Sequence, residues 1–236
     1  MKISGVILAA GKGTRMKSSL PKVLQPVLGK PMIYYAQESL SNLENKYVIT
    51  GYESELVSSH IFDGYKIVEQ KEQLGTGHAV VTLLESKEFK SDKSDYLIII
   101  PGDVPLIDKT ELDKLVQEVV KKDSPIGLIS AEVKNPSGYG RIVRDKDKVK
   151  KITEEADAND EERSISEINS GIYCVNKEFL ISNIKNIKSD NVQNEFYLTD
   201  LIEIAFQNKQ EAVIVQVIED TIKGVNSMSQ LNDVED

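Results

Sequence analysis

The chain has 236 residues, 40% of them hydrophobic, with a formal net charge of −9, two histidines and one cysteine. That is enough for one sizeable α/β domain. The acidic balance excludes the basic stripe of a nucleic-acid surface, the lone Cys174 excludes an internal disulfide, and no apolar run suits a signal peptide or a membrane span, so a soluble cytoplasmic protein is expected.

Lys2–Ala10 reads as a strand whose apolar run Gly5–Ala10 suits burial on both faces, and it breaks at Gly11 and Gly13 into a loop. A glycine-rich turn after such a strand brings backbone N–H groups against phosphate oxygens because no Cβ intervenes. Lys12, Arg15 and Lys22 supply the charge that a polyphosphate needs. Two commoner phosphate loops do not fit: Met16 stands where the dinucleotide fingerprint needs a third glycine, and Lys12 is followed by Gly13 rather than Ser or Thr.

Further strands are expected at Tyr47–Thr50, Tyr65–Glu69 and Tyr96–Ile100, separated by helical patterns at Met32–Leu43 and Gly77–Leu84. This alternation predicts a mostly parallel, doubly wound sheet with ligands at the carboxyl ends of its strands. Gly11 and Gly102-Asp103 then share one rim. The second half is strand-rich, with Ile126–Val133, Gly140–Arg144, Val149–Thr153 and Glu167–Val175 forming a mixed sheet and a hairpin turning near Lys146-Asp147. Asp157–Arg163 reads as a solvated, charge-rich loop. Cys174, inside an apolar run, reads as a buried strand residue.

The run Leu8-Ala9-Ala10-Gly11-Lys12-Gly13-Thr14-Arg15-Met16 with Leu20-Pro21-Lys22 resembles the signature of the sugar nucleotidyltransferases. More narrowly it is similar to the uridyltransferase domain of bacterial N-acetylglucosamine-1-phosphate uridyltransferases. The likeness continues in order through Gln70, Gln73 to Ala79, Gly102-Asp103-Val104-Pro105-Leu106, Gly138 to Ile142, Glu154, Ile168-Asn169-Ser170-Gly171, Asn194 to Asp200 and Gly224-Val225-Asn226.

The resemblance implies a Rossmann-like α/β domain over 1–236, with a nucleotide-binding half (about 1–106), a sugar-binding half (about 107–226) and a tail (227–236). It also implies Mg²⁺-dependent transfer of UMP from UTP to N-acetylglucosamine 1-phosphate, giving UDP-N-acetylglucosamine, an envelope precursor, and pyrophosphate. Leu8, Ala9, Ala10, Gly11 and Gly13 are then nucleotide contacts, Gln70, Gly75 and Thr76 read uracil, and Arg15 and Lys22 act on the reacting phosphates. Gly102, Gly140, Glu154 and Asn169 match the sugar contacts, and Asp103 and Asn226 the Mg²⁺ ligands. Asn194–Asp200 is expected mainly to shape the start of a helix, and His78 to act as a structural cap.

A phosphate monoester is largely ionised at neutral pH, so this transfer needs no general base, in keeping with the absence of a nucleophilic pair. Two departures stand out. Pro101 replaces an aromatic residue found before Gly-Asp in some relatives, which leaves sugar selectivity open. The hexapeptide repeats of bifunctional relatives are absent from the sequence, so no acetyltransferase domain and a monomer or weak homo-oligomer are expected. The rival readings are another sugar 1-phosphate, dTTP as the nucleotide, or a sugar-nucleotide-binding module without turnover.

Overall fold

The computed structural model describes residues 1–13, 18 and 20–222. Its first strand, β1 (Ile3–Ala9), lies in the interior of the sheet, paired along both edges, because its sequence leaves almost nothing polar to solvate. Val6 and Ile7 are both fully buried and point to opposite faces, as successive strand residues must. Each such side chain contributes about 1.5–3 kcal/mol of burial.

The remaining strands are β2 (Pro26–Val27), β3 (Lys30–Pro31), β4 (Asn45–Thr50), β5 (Tyr65–Glu69), β6 (Tyr96–Pro101), β7 (Ile126–Glu132), β8 (Gly140–Asp145), β9 (Lys148–Thr153), β10 (Glu167–Asn176) and β11 (Val213–Val217). The principal sheet has nine strands, ordered β11-β7-β10-β6-β1-β4-β5, with the β8–β9 hairpin attached to β10. Along that order only β10 runs against the others, so the sheet is mostly parallel as expected.

The helices are α1 (Met32–Ser39), α2 (Ser54–Ser58), α3 (Thr76–Glu85), α4 (Lys109–Lys121), α5 (Asp160–Arg163), α6 (Lys177–Asn183) and α7 (Asp200–Gln207). Two apolar clusters sit on opposite faces of the sheet. One gathers Val6 with residues of α3, α6 and α7, and the other gathers Ile7 with residues of α1, α2 and α4. This is the doubly wound arrangement. Among the described residues no helix is long and apolar enough to cross a membrane.

Several details differ from the sequence expectation. The first helix stops at Ser39, where the hydroxyl donates to the Ala36 carbonyl (3.0 Å), a local alternative to helical bonding, and does not reach Leu43. The Asp157–Arg163 segment contains α5, begun by a reciprocal capping box between Asn159 and Glu162, although the helix buries no residue. The hairpin at Lys146-Asp147 is present, and Lys146 takes the left-handed conformation that such a tight turn requires.

β10 carries a break in register between Asn169 and Tyr173, with Gly171 at φ 78°. Before the break one edge of β10 pairs with β8 at Ile168 and Asn169; after it, that edge pairs with β6 at Tyr173 to Asn176. The strand changes partners, and a cavity lies along the parting.

Candidate active site

The rim common to β1 and β6 is fixed by backbone pairing. Leu8 stands opposite Pro101, and the Gly102 N–H donates to the Leu8 carbonyl (2.9 Å). Here the chain order reverses from β4 and β5 on one side of β1 to β6 on the other, the switch point at which open α/β sheets bind ligands. Beyond β1 the chain enters the glycine loop. Gly13 adopts φ 58°, and a Cβ there would lie 2.5 Å from the Lys22 Cβ, so only glycine lets the loop sit against Lys22.

A cleft of about 680 Å³ opens at this rim. Leu8, Ala9, Ala10, Gly11, Gly13, Lys22, Gln70, Gly75 and Thr76 all line it, together with Lys12 and Asp103. Lys22 and Asp103 form an ion pair across it, their side chains only 14% and 19% exposed. The sequence expectation gives Lys22 to phosphate and Asp103 to metal, and the fold makes each the other's partner. Arg15 and Asn226 lie outside the described residues.

Gly75 is the pivot of the segment facing the glycine loop. Its φ is 106°, and a Cβ there would meet the Phe196 carbonyl at 2.6 Å. That close approach lets backbone bonds form in both directions: Phe196 N–H to the Leu74 carbonyl (2.8 Å) and Gly77 N–H to the Phe196 carbonyl (2.7 Å). The Leu198 N–H donates to the Thr76 hydroxyl (2.9 Å). The Asn194–Asp200 stretch thus does more than begin α7: it fastens the Gln70–Gly77 segment in place. His78 is not a cap, since the residue capping α3 is Gly75 and no side chain caps the helix. The imidazole instead meets the Gln70 side chain, Nε2 to Nδ1, at 2.9 Å.

A second cavity of about 190 Å³ adjoins the first and shares Leu8, Thr76, Pro101 and Asp103 with it. Gly140, Glu154 and Asn169, distant in sequence, all line this second cavity. Gly102 does not. It is buried, its missing side chain facing Val23 and Ile7, so it permits packing beneath the rim and presents no side to the cavity. Tight packing also explains Gly140, where a Cβ would sit 2.9 Å from Ile152 and 3.3 Å from the Glu154 carboxylate.

The register break in β10 turns Asn169 and Tyr173 toward each other. The Asn169 Nδ2 donates to the Tyr173 hydroxyl (2.6 Å), and its Oδ1 accepts from the Gly171 N–H (3.1 Å), so the amide cannot swing. Burial, reinforced by the nearby Glu154 charge, pushes the Tyr173 phenol up, away from ionisation. Across the cavity the Thr199 hydroxyl donates to Glu154 Oε1 (3.2 Å). Tyr173 and Thr199 line the cavity and are absent from the sequence expectation. Thr199 lies in a block quoted there, but its contact spans 45 residues and leaves no local signal.

Carboxylates crowd this side. Burial raises the Glu154 pKa, partly offset by the Thr199 hydrogen bond and reinforced by Asp157, Asp200 and Glu195. Asp200 is pushed up to about 6, first by burial and then by Glu203 and Asp157. The Gly138–Gly140 loop above the cavity is pinned by the buried Arg141, which bonds the Tyr139 carbonyl and pairs with Glu155 at 2.7 Å. Glu155 in turn accepts from the Gly138 N–H (3.0 Å).

Among the described residues no three metal-ligating side chains cluster. Asp103 nevertheless suits a hard divalent cation, being a largely buried carboxylate on the border of both cavities, provided that its partner Lys22 turns away to release it. Magnesium typically takes one or two protein oxygens and completes its shell with water and phosphate.

The family model described as nucleotidyl transferase matches residues 4–220. The chain is 42% identical over 234 residues to the bifunctional protein GlmU of Clostridium botulinum Loch Maree, covering 98% of this chain and 50% of that protein. It is 40% identical over 241 residues to GlmU of Clostridium perfringens, covering 100% of this chain and 52% of the relative. The chain thus spans about half the length of the curated relatives it matches. A UDP-glucose pyrophosphorylase solved in complex with UDP-glucose superposes with a TM-score of 0.79 over 100% of this chain and 97% of that one, at 19% identity, a likeness of fold. A glycine loop at the switch point of a doubly wound sheet, matched by the family model along nearly its whole length, places this chain in the nucleotidyl transferase family.

Proposed function

We propose that the chain catalyses Mg²⁺-dependent transfer of UMP from UTP to N-acetylglucosamine 1-phosphate, releasing pyrophosphate and giving UDP-N-acetylglucosamine. The observation that carries this reading is the pair of adjoining cavities that meet at Asp103. One is edged by glycine backbone and cations, suited to a triphosphate, and the other by carboxylates and a fixed amide, suited to a polyol.

In this reading the nucleotide lies along the Leu8–Gly13 loop with its base toward Gln70, Gly75 and Thr76. Lys12, Lys22 and, by resemblance, Arg15 face the phosphates. The sugar lies against Gly140, Glu154 and Asn169, so its phosphate oxygen approaches the α-phosphorus near Asp103, opposite the departing pyrophosphate. Asp103, with Asn226 by resemblance, would hold Mg²⁺, which when bound offsets charge on the reacting phosphates. Alignment and charge stabilisation then supply the catalysis, and no residue need remove a proton.

A second reading, another sugar 1-phosphate, is favoured by Pro101, whose ring borders both cavities and offers neither a donor nor a broad aromatic wall. Coupled pyrophosphate detection over a matrix of nucleoside triphosphates and sugar 1-phosphates tests both. Turnover confined to UTP with N-acetylglucosamine 1-phosphate supports the first reading, and preference for another sugar supports the second. Nucleotide binding without turnover of any pair overturns both.

A further inference from the structure

Gln70 follows β5 directly, held there by its N–H to the Thr50 carbonyl (2.7 Å), and the residue lines the larger cleft although it is only 2% exposed. The side-chain Nε2 lies 3.1 Å from the Gly75 carbonyl and 2.9 Å from His78 Nδ1. A carbonyl only accepts, so the first contact decides which end of the amide is nitrogen. The reversed amide would set oxygen against oxygen. The second contact then has one solution: Gln70 donates, and Nδ1 of His78 accepts through its lone pair with the ring proton on Nε2. Both amide hydrogens are now engaged. Oε1 takes no hydrogen bond from any described residue, and acceptance is the one role left for this side chain toward whatever fills the cleft.

We propose that His78 is a positioning residue that locks the Gln70 amide with its oxygen toward the nucleobase and thereby selects a pyrimidine carrying N3–H over one carrying an N3 lone pair, UTP over CTP. The inference rests on the reading of the larger cleft as a nucleoside triphosphate site. The two bases are nearly equal in size and differ on this edge in hydrogen-bond polarity, so packing alone discriminates poorly between them. A fixed acceptor pairs with the uracil imide and leaves the cytosine nitrogen facing oxygen, each unpaired. Without the His78 lone pair, one amide hydrogen loses its partner and only the Gly75 carbonyl (3.1 Å) is left to hold the amide against turning.

The test compares kcat/KM for UTP and CTP in the wild-type protein, His78→Leu and His78→Asn, the last keeping an acceptor atom bonded to Cγ where Nδ1 stands. His78→Leu is expected to lower the UTP:CTP ratio about tenfold or more, and His78→Asn to keep it within about threefold of wild type. Equal loss for both nucleotides in His78→Leu, with the ratio unchanged, makes His78 merely a structural part of α3 and overturns the proposal. A nitrogen-15 spectrum of the unsubstituted protein gives a second readout that does not depend on the variants folding: an unprotonated, hydrogen-bond-accepting Nδ1 supports the lock, and a protonated Nδ1 overturns it. A wild-type protein that binds neither nucleotide refutes the underlying reading, whereas a wild-type preference for UTP that survives in His78→Leu refutes the lock alone.

Discussion

The two sides of the active-site rim are built on opposite electrostatic plans. The side formed by β1, β5 and the start of α3 presents backbone, glycine and lysine, and the conformation of Gly13 and Gly75 does most of the shaping. The side formed by β8, β9, β10 and the start of α7 presents side chains that accept hydrogen bonds, with the Glu154 and Asp200 pKa values raised by burial and further by neighbouring carboxylates. A triphosphate brings its own charge and needs donors near it. A neutral sugar brings hydroxyls and needs acceptors withheld from water. Substitutions on the first side should therefore act through backbone geometry, and those on the second through charge.

The hardest test falls where the sides meet. Asp103→Asn should lower kcat by at least about 10³-fold, several kcal/mol of charge stabilisation, with the circular dichroism spectrum unchanged. Near-normal turnover in that variant removes Asp103 from the proposed metal site. On the backbone side, Gly75→Ala forces a Cβ into a region of φ reserved for glycine and onto the Phe196 carbonyl. It should destabilise the fold by about 3 kcal/mol in urea unfolding and raise the KM for UTP more than that for the sugar phosphate. An equal rise in both would show that the two sides are not distinct.

On the charged side, Glu154→Gln should raise the KM for the sugar phosphate about tenfold, roughly 1.4 kcal/mol, while kcat and the KM for UTP stay close to wild type. A fall in kcat alone would show that Glu154 acts on the transferring phosphoryl group and not on the sugar. The smallest effect concerns Asp200. Its carboxyl titrates at about 6 in the fold against an ordinary value of 3.8, so the folded state holds the proton longer than the unfolded chain. Stability from this group is complete below about pH 4 and is lost as pH rises through 6. Asp200→Asn should therefore stabilise the protein by about 1 kcal/mol at pH 8, after allowance for solvent access, and by almost nothing at pH 4. Equal stabilisation at both values would mean the residue acts through the α7 terminus and not through its charge.

How much of this was legible in the sequence follows the same division. The glycine-loop side is written locally: an apolar strand, then glycines, then cations, and Tyr65–Glu69 coincides with β5 from end to end. Periodicity and turn chemistry suffice there because each signal spans a few residues. Gly140, Glu154 and Asn169 could be grouped only by resemblance, since their meeting depends on the pairing of the β8–β9 hairpin with the distant β10, which no local signal announces. Tyr173 carries the apolar signature of a core strand, and its hydroxyl acquires a partner only after the bulge. His78, in a helical pattern, reads as a cap until Gln70 is brought against it. β11 lies outside the strands that the sequence reading yields, its partner β7 being a distant segment.

The bonds joining the Leu74–Gly77 backbone to Phe196 and Leu198 have a consequence for motion. They close a loop of 122 residues from Thr76 to Leu198, with residues of the glycine-loop cleft on one side of the joint and residues of the second cavity on the other. Amide protons at Gly77, Phe196 and Leu198 can reach solvent only when this joint opens, so they should exchange with deuterium together, as one cooperative unit. If one substrate holds the joint shut and the other also binds the shut form better, linkage makes the effect mutual, each tightening the other's binding by the same factor. Measured coupling between the two ligands would then report on the joint, and strictly additive binding would show that it does not move with either.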